Sequence, residues 1–194
     1  MTHPTKSSIS RGPRVSVAPK RRVKAHVMDA DAVRRSLSRI AHEIVERNRG
    51  TAELIVAGVI SQGDVLARRL AAKLTELEGI EVPAGAVDAS GHRDDNRPRL
   101  PGRTSHVPDL TDRTVVLVDD VIHHGRTARA AMEALLEFGR PRAIQLAVLV
   151  DRGHRQLPIR PDYVGKNVPT SESELVQVCL QEVEGLDVVV ILER

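Results

Sequence analysis

The sequence predicts an α/β fold with a mainly parallel central sheet flanked by helices. Three stretches predict it. Val115-Val116-Leu117-Val118 runs into Asp119-Asp120 and then, through Gly125, into an Ala-rich segment, which reads as a buried strand, a loop and a helix start. Leu54 to Ile60 is a second apolar strand. Its loop, Ser61-Gln62-Gly63, leads into a helix over 64–77 with Leu66, Leu70 and Leu74 inward. Ile144 to Val150 is a third core strand, ending in Asp151-Arg152. Strands apolar on both faces are covered on both, and strands that alternate with helices pair in parallel.

Size and composition set the class. A chain of 194 residues, 41% hydrophobic and 28% charged, suits one globular domain with a full core. Only 1% is aromatic, so the core is built from Val, Leu, Ile and Ala. Stacking of bases on aromatic platforms, the usual reading of single-stranded RNA by sheet modules, is therefore nearly excluded. Any RNA contact would rest on Arg, Lys, His and backbone. One cysteine, Cys179, excludes an intrachain disulfide and a cysteine zinc cluster and fits a reducing compartment. No apolar run approaches the roughly 18–20 residues of a membrane span. The basic N-terminus lacks the apolar segment of a signal peptide, so a cytoplasmic protein is expected. The formal net charge of +3 is unevenly placed: residues 1–22 hold Lys6, Arg11, Arg14, Lys20, Arg21 and Arg22 without an acid, and the remainder is net acidic. Residues 1–22 read as a solvated extension or as an electrostatic arm for nucleic acid, and 23–194 as the folded domain.

The remaining elements follow from periodicity and capping. Val23 to Met28 is a short strand, and Asp29 or Asp31 caps a helix. Its buried face is Val33, Leu37, Ile40, Ala41, Ile44 and Val45, and Gly50 terminates it. Arg35, Arg39, His42 and Glu46 make another stripe, by default a solvated one. Val82 to Ala89 is a strand. Residues 96–108, with Arg97, Arg99 and Arg103, form a basic loop, either ordinary surface or a lid. A helix runs from Arg126 to Phe138, ended by Gly139. Tyr163 to Val168 is a strand and turn. Val176 to Val178 and Val188 to Leu192 form a closing antiparallel hairpin around Glu184-Gly185.

The stretch 115–128 carries the chemistry. In an open parallel sheet the ligand crevice lies at the carboxyl ends of the strands, where Asp119 and Asp120 fall. A loop of free backbone N–H groups closing on a helix N-terminus holds an anion, Gly125 lets the backbone approach closely, and Thr127 adds a hydroxyl. Two carboxylates would repel a bare phosphate, so they face sugar hydroxyls or a divalent cation. A ribose 5-phosphate fits both halves. Adjacent histidines seldom converge on one metal, so His123-His124 is not read as a metal site.

The apolar strand, Asp119-Asp120 and Gly125-Arg126-Thr127 resemble the phosphoribosyl pyrophosphate (PRPP) motif of type I phosphoribosyltransferases. Gly139-Arg140-Pro141-Arg142, the run Ala147 to Arg160 containing Val150-Asp151-Arg152-Gly153-His154-Arg155, and Asp162 to Thr170 closely resemble the PyrR family, pyrimidine operon attenuation proteins that are also uracil phosphoribosyltransferases. The similarity runs from about Lys24 to the C-terminus. It implies the type I phosphoribosyltransferase fold with a small hood region, and conversion of uracil and PRPP to UMP and pyrophosphate. It also implies Mg²⁺ at Asp119 and Asp120, largely through ligand oxygens, UMP or UTP as effector, pyr mRNA as partner, and a homodimer or higher homo-oligomer.

By the same resemblance Asp119, Asp120 and Arg93 are catalytic. Ser61, Gln62, Gly63, His123, His124, Gly125, Arg126 and Thr127 bind phosphates of PRPP or UMP. Asp151, Arg152 and Val164 meet the base, and Ser38, Arg39, His42, His154 and Arg160 meet RNA. The chain departs from the family pattern in three places. Gln62 replaces the arginine of Thr-Arg-Gly, a charge-assisted donor worth about twice a neutral one. Ala89-Ser90-Gly91-His92 replaces an apolar-aromatic stretch before Arg93-Asp94-Asp95. His124 replaces the threonine of Tyr-Thr-Gly-Arg-Thr, a loss that a protonated histidine would partly offset. These changes leave open an alternative in which catalysis is weakened or lost and the site serves as a nucleotide sensor for RNA regulation.

Overall fold

The computed structural model describes residues 21–94 and 104–193. In chain order it contains β1 (Val23–Met28), α1 (Ala30–Asn48), β2 (Leu54–Val59), α2 (Gln62–Glu78), β3 (Ala84–Val87), a 3₁₀ turn at Ala89–His92 and β4 (Thr114–Ile122). There follow α3 (Arg126–Leu135) with a 3₁₀ turn at Leu136–Phe138, β5 (Ala143–Asp151), β6 (Tyr163–Asn167), β7 (Leu175–Cys179), α4 (Gln181–Glu184) and β8 (Val188–Leu192). Two sheets result, a five-stranded parallel sheet in the order β3-β2-β4-β5-β6 and a three-stranded antiparallel sheet in the order β1-β8-β7. The second sheet is the hood.

Alternation along β4 builds two cores. Val116 and Val118 face α1 and α2, meeting Leu37, Ile40, Ile44, Leu66, Leu70 and Leu74. Val115 and Leu117 face α3, meeting Ala131 and Leu135. Fully burying each Leu or Val side chain contributes about 1.5–3 kcal/mol, so the central strand is fixed from both sides.

Element ends moved where local packing overrode the simple signals. Asp29 is the N-cap of α1, accepting from the Ala32 N–H at 2.7 Å. Its C-cap is Arg49, left-handed at φ 57°, with Gly50 only following at φ 114°. The loop expected at Ser61-Gln62-Gly63 is instead the start of α2: Ser61 is the N-cap, and Gln62 and Gly63 lie in the first turn. β3 is only four residues long. The expected hairpin at 176–192 is antiparallel but carries α4 between its strands.

Most of residues 1–22 lie outside the described residues, as do Arg97, Arg99 and Arg103 of the basic loop. Its described end is held to β3, where Ala86 and His106 exchange backbone hydrogen bonds of 2.7 and 2.8 Å. Among the described residues no helix is long and apolar enough to cross a membrane.

The approach of α2 to the sheet requires two glycines. A Cβ on Gly58 would lie 2.2 Å from the Gly63 carbonyl oxygen, and one on Gly63 would lie 2.5 Å from the Val118 oxygen. Backbone cannot yield as a side chain tip can. Gly58→Ala is therefore expected to cost at least about 1–3 kcal/mol, a Tm fall on the order of 2–4 °C per kcal/mol, measured by thermal unfolding.

Candidate active site

β4 delivers Asp119 and Asp120 to the carboxyl edge of the sheet, between β2 and β5. The chain then turns through His123-His124-Gly125 into α3, whose N-cap is Gly125 at φ 90°. Ile159 and Leu157 lie 3.5 Å from where a Cβ would sit, an ordinary contact, so it is the backbone conformation that requires glycine here. Around this turn opens a cavity of about 310 Å³. Its walls are Asp119, Asp120, the turn itself, Arg93, Arg152 and, from the hood, Leu175 and Val176.

Neighbouring loops brace the turn. The His124 carbonyl accepts from the backbone N–H groups of Gln156 and Leu157, both at 3.1 Å. The Arg155 guanidinium donates to the carbonyls of His123 and Ile159, both at 2.9 Å, and pairs with Asp151 at 2.6 Å. Arg93 donates to the Thr127 hydroxyl at 3.0 Å, which leaves that O–H as a donor. Amides of residues 123–127 and the N-terminus of α3 thus form a shallow anion cradle held from behind.

Burial is the main electrostatic fact. It raises the carboxyl of Asp119 well above the usual range, with the charge of Asp120 adding to the effect, and it raises Asp120 as well. Only part of this is offset by the Asp120 N–H on Asp119 at 3.0 Å and the Val121 N–H on Asp120 at 2.7 Å. A divalent cation or ribose hydroxyls would relieve the strain, and oxygen donors suit a hard cation such as Mg²⁺. Among the described residues no group of three or more His, Cys, Asp or Glu is placed to hold a metal ion. A cation here would take its remaining donors from the ligand and water.

The histidines behave differently from the expectation of a charged substitute. Burial, then the nearby Arg152, pushes His123 down to about 4, and burial with Arg126 lowers His124. Their rings stack at 3.6 Å, and His154 lies edge-on to His123 at 5.8 Å. At neutral pH His123 is therefore a neutral ring. Its Nε2 is buried with no hydrogen-bond partner.

Of the residues singled out from sequence, Asp119, Asp120, Arg93, Arg152 and 123–127 converge on the cavity. The Arg126 side chain, however, binds Gln156 and Asp94, so its contribution to the cradle is its backbone. Ser61 and Gly63 lie at the N-terminus of α2, with Gly63 against the backbone of Val118 and Asp119. Gln62 does not face the cavity as a free donor: its amide nitrogen donates to Glu184 of the hood at 2.6 Å. Asp151 is committed to Arg155 and the Gly153 N–H. Val164 pairs with Val148 inside the sheet, whereas Asn167 stands opposite Asp151 at the edge, so the Val164 side chain joins the core beneath α3.

The residues expected to meet RNA occupy two segments. Ser38, Arg39 and His42 lie on α1, where Arg39 donates to the Val164 and Gly165 carbonyls, both at 2.8 Å, and to Glu43. His42 Nδ1 lies 2.7 Å from the Ser38 carbonyl. His154, 2.6 Å from the Thr170 carbonyl, and exposed Arg160 lie on the loop after β5. Sequence reasoning missed Arg155, for which the four-residue spacing from Asp151 was the available signal. It also missed Leu175, Val176 and Glu184, whose placement depends on how the hood folds back.

A parallel sheet with this cradle and carboxylate pair at its edge defines a phosphoribosyltransferase, and the phosphoribosyl transferase domain family matches residues 26–183. Among solved structures, a hypoxanthine-guanine phosphoribosyltransferase from Bacillus anthracis superposes with a TM-score of 0.67 at 19% identity, over 90% of this chain and 100% of that one. The hypoxanthine phosphoribosyltransferase of Trypanosoma cruzi gives 0.66 at 19%, over 88% and 97%. These share the fold. The bifunctional protein PyrR of Deinococcus radiodurans is 56% identical over 172 residues, 86% of this chain and 93% of its own, and that of Thermus thermophilus 55% over 179 residues, 89% and 98%. The chain belongs to the PyrR family.

The raised carboxyl of Asp119 makes stability depend on pH. The fold favours its protonated form, so stability is intact at acidic pH and declines as pH rises from the ordinary carboxylate range through the folded value. Asp119→Asn keeps an acceptor for the Asp120 N–H without the charge. Its Tm is expected to exceed that of the parent at pH 7, on the order of 2–4 °C for each ~1 kcal/mol of relief, with the gap closing at the acidic end of a pH series.

Proposed function

We propose that this chain transfers the 5-phosphoribosyl group of PRPP to uracil, releasing pyrophosphate and forming UMP, and that it binds pyr mRNA when a uridine nucleotide fills the same site. The observation that carries the reading is the juxtaposition, in one cavity, of the 123–127 cradle with Asp119 and Asp120. The cradle takes the 5′-phosphate through backbone N–H groups, and the carboxylates take the ribose hydroxyls. Arg93 stands on the same wall, where its guanidinium holds the Thr127 hydroxyl beside the cradle. Breaking the anomeric C–O bond places positive charge on the ribose, and the two carboxylates beneath it favour that charge electrostatically. Mg²⁺, when bound at Asp119 and Asp120, supplies neutralisation of the pyrophosphate. Uracil falls to Arg152 and the loop after β5, with Leu175 and Val176 as an apolar wall that limits water at the reacting centre. Asp151 and Val164 support that region from behind.

A second reading keeps the nucleotide and the RNA but not the turnover. The contact of Gln62 with Glu184 favours it, since UMP needs ribose and 5′-phosphate contacts but no grip on pyrophosphate. The RNA reading rests on α1 and the loop after β5, where Ser38, Arg39, His42, His154 and Arg160 supply donors without aromatic stacking. The setting we propose is cytoplasmic, with the chain as a homodimer or higher homo-oligomer.

A coupled assay of UMP formation from uracil and PRPP with Mg²⁺ tests the enzyme. Turnover is expected in the parent and a higher rate in the double variant Gln62→Arg, His124→Thr. UMP binding without turnover in either protein would select the sensor, and no calorimetric binding of UMP or PRPP at millimolar levels would overturn both. For RNA, His42→Ala and Arg160→Ala are each expected to weaken binding roughly tenfold, the equivalent of ~1.4 kcal/mol. Asp119→Asn should leave nucleotide-free RNA binding unchanged in the same gel-shift titration.

A further inference from the structure

We infer that Glu184 is a specificity-determining residue that disfavours ligands with a pyrophosphate on the ribose relative to nucleoside monophosphates. The inference deepens the phosphoribosyl reading of the cavity and rests on it. Two helix N-termini converge on the carboxyl end of β4. That of α3 forms the cradle at 123–127. That of α2 lies on the other side of Asp119, with Gly63 packed against the Val118 and Asp119 backbone. Ser61 makes no side-chain capping hydrogen bond there, so no side chain of its own occupies the first-turn donors. On the phosphoribosyl reading proposed above, a ribose with phosphate at both ends draws on both N-termini, whereas a nucleoside monophosphate draws only on the cradle.

Glu184 fixes a negative charge at the second end. One of its carboxylate oxygens accepts from the Gln62 amide at 2.6 Å and the other from the Leu180 N–H at 2.8 Å, so an otherwise exposed side chain is held in place. The other end of the same Gln62 amide, Oε1, is buried without a partner. Gln62 brings no positive charge to offset the carboxylate. A pyrophosphate approaching α2 therefore meets a held anion and must displace the hydrogen bond from Gln62, while a 5′-phosphate at residues 123–127 does neither.

Calorimetric titration of the full chain with UMP, and separately with PRPP and Mg²⁺, tests this. In Glu184→Gln and Glu184→Ala the PRPP dissociation constant is expected to fall at least fivefold while that for UMP stays within twofold. Retained UMP affinity also reports that the hood has folded. The gain for PRPP should shrink at high ionic strength, where charge is screened, a response that a purely steric obstacle would not give. It should shrink again in a Gln62→Arg background, where the carboxylate is already paired. Unchanged PRPP affinity in both Glu184 variants, with UMP binding intact, would overturn the inference and leave the phosphoribosyl reading standing. An equal gain for UMP would overturn it too. Failure of the parent chain to bind either ligand would overturn both.

Discussion

β4 is paired in parallel on both edges and covered on both faces, and the rest of the molecule is arranged around that confinement. A strand buried in this way has to leave the sheet at its carboxyl end, where backbone groups lose their ladder partners and helices on either side turn their N-termini inward. In this chain the exit is occupied by Asp119 and Asp120, two groups that the same burial disfavours in charged form. The fold concentrates backbone donors and places acids among them. Such an arrangement is poor for stability and good for a ligand that brings hydroxyls, a cation and a phosphate together.

Much of the scaffold was legible in the sequence because it depends on patterns short enough to read. Val115 to Val118 and Leu54 to Ile60 announce buried strands by unbroken β-branched and apolar character, and α1 announces itself by Asp29 and the spacing of Leu37, Ile40 and Ile44. What escaped was set by contacts distant in sequence. Gln62 reads as a loop residue until α2 is seen packed down to Gly63, a geometry allowed only because Gly58 and Gly63 lack side chains. Val164, expected from the resemblance to meet the base, pairs with Val148 inside the sheet, and the residue opposite Asp151 at the edge is Asn167.

The site was legible to a similar depth. Asp119-Asp120 and 123–127 belong to one continuous stretch, so their convergence follows from local chain direction. Arg152 and Arg93 arrive from elsewhere and were placed by family pattern. No pattern in the segment 175–184 said that Leu175 and Val176 would roof the cavity or that Glu184 would reach Gln62, because the position of the hood is decided by how β1, β7 and β8 pair. The histidine substitution likewise changes meaning once burial is known. A basic side chain on paper is a neutral ring in place.

Arg155 joins two regions that the sequence keeps apart. Its guanidinium ties the carbonyl of His123, in the cradle, to those of Gly153 and Ile159 in the loop that carries His154 and Arg160. One side chain thereby anchors both segments. Were the proposed nucleotide and RNA sites coupled through this contact, linkage would make the effect reciprocal, the polymer tightening the nucleotide as much as the nucleotide tightens the polymer.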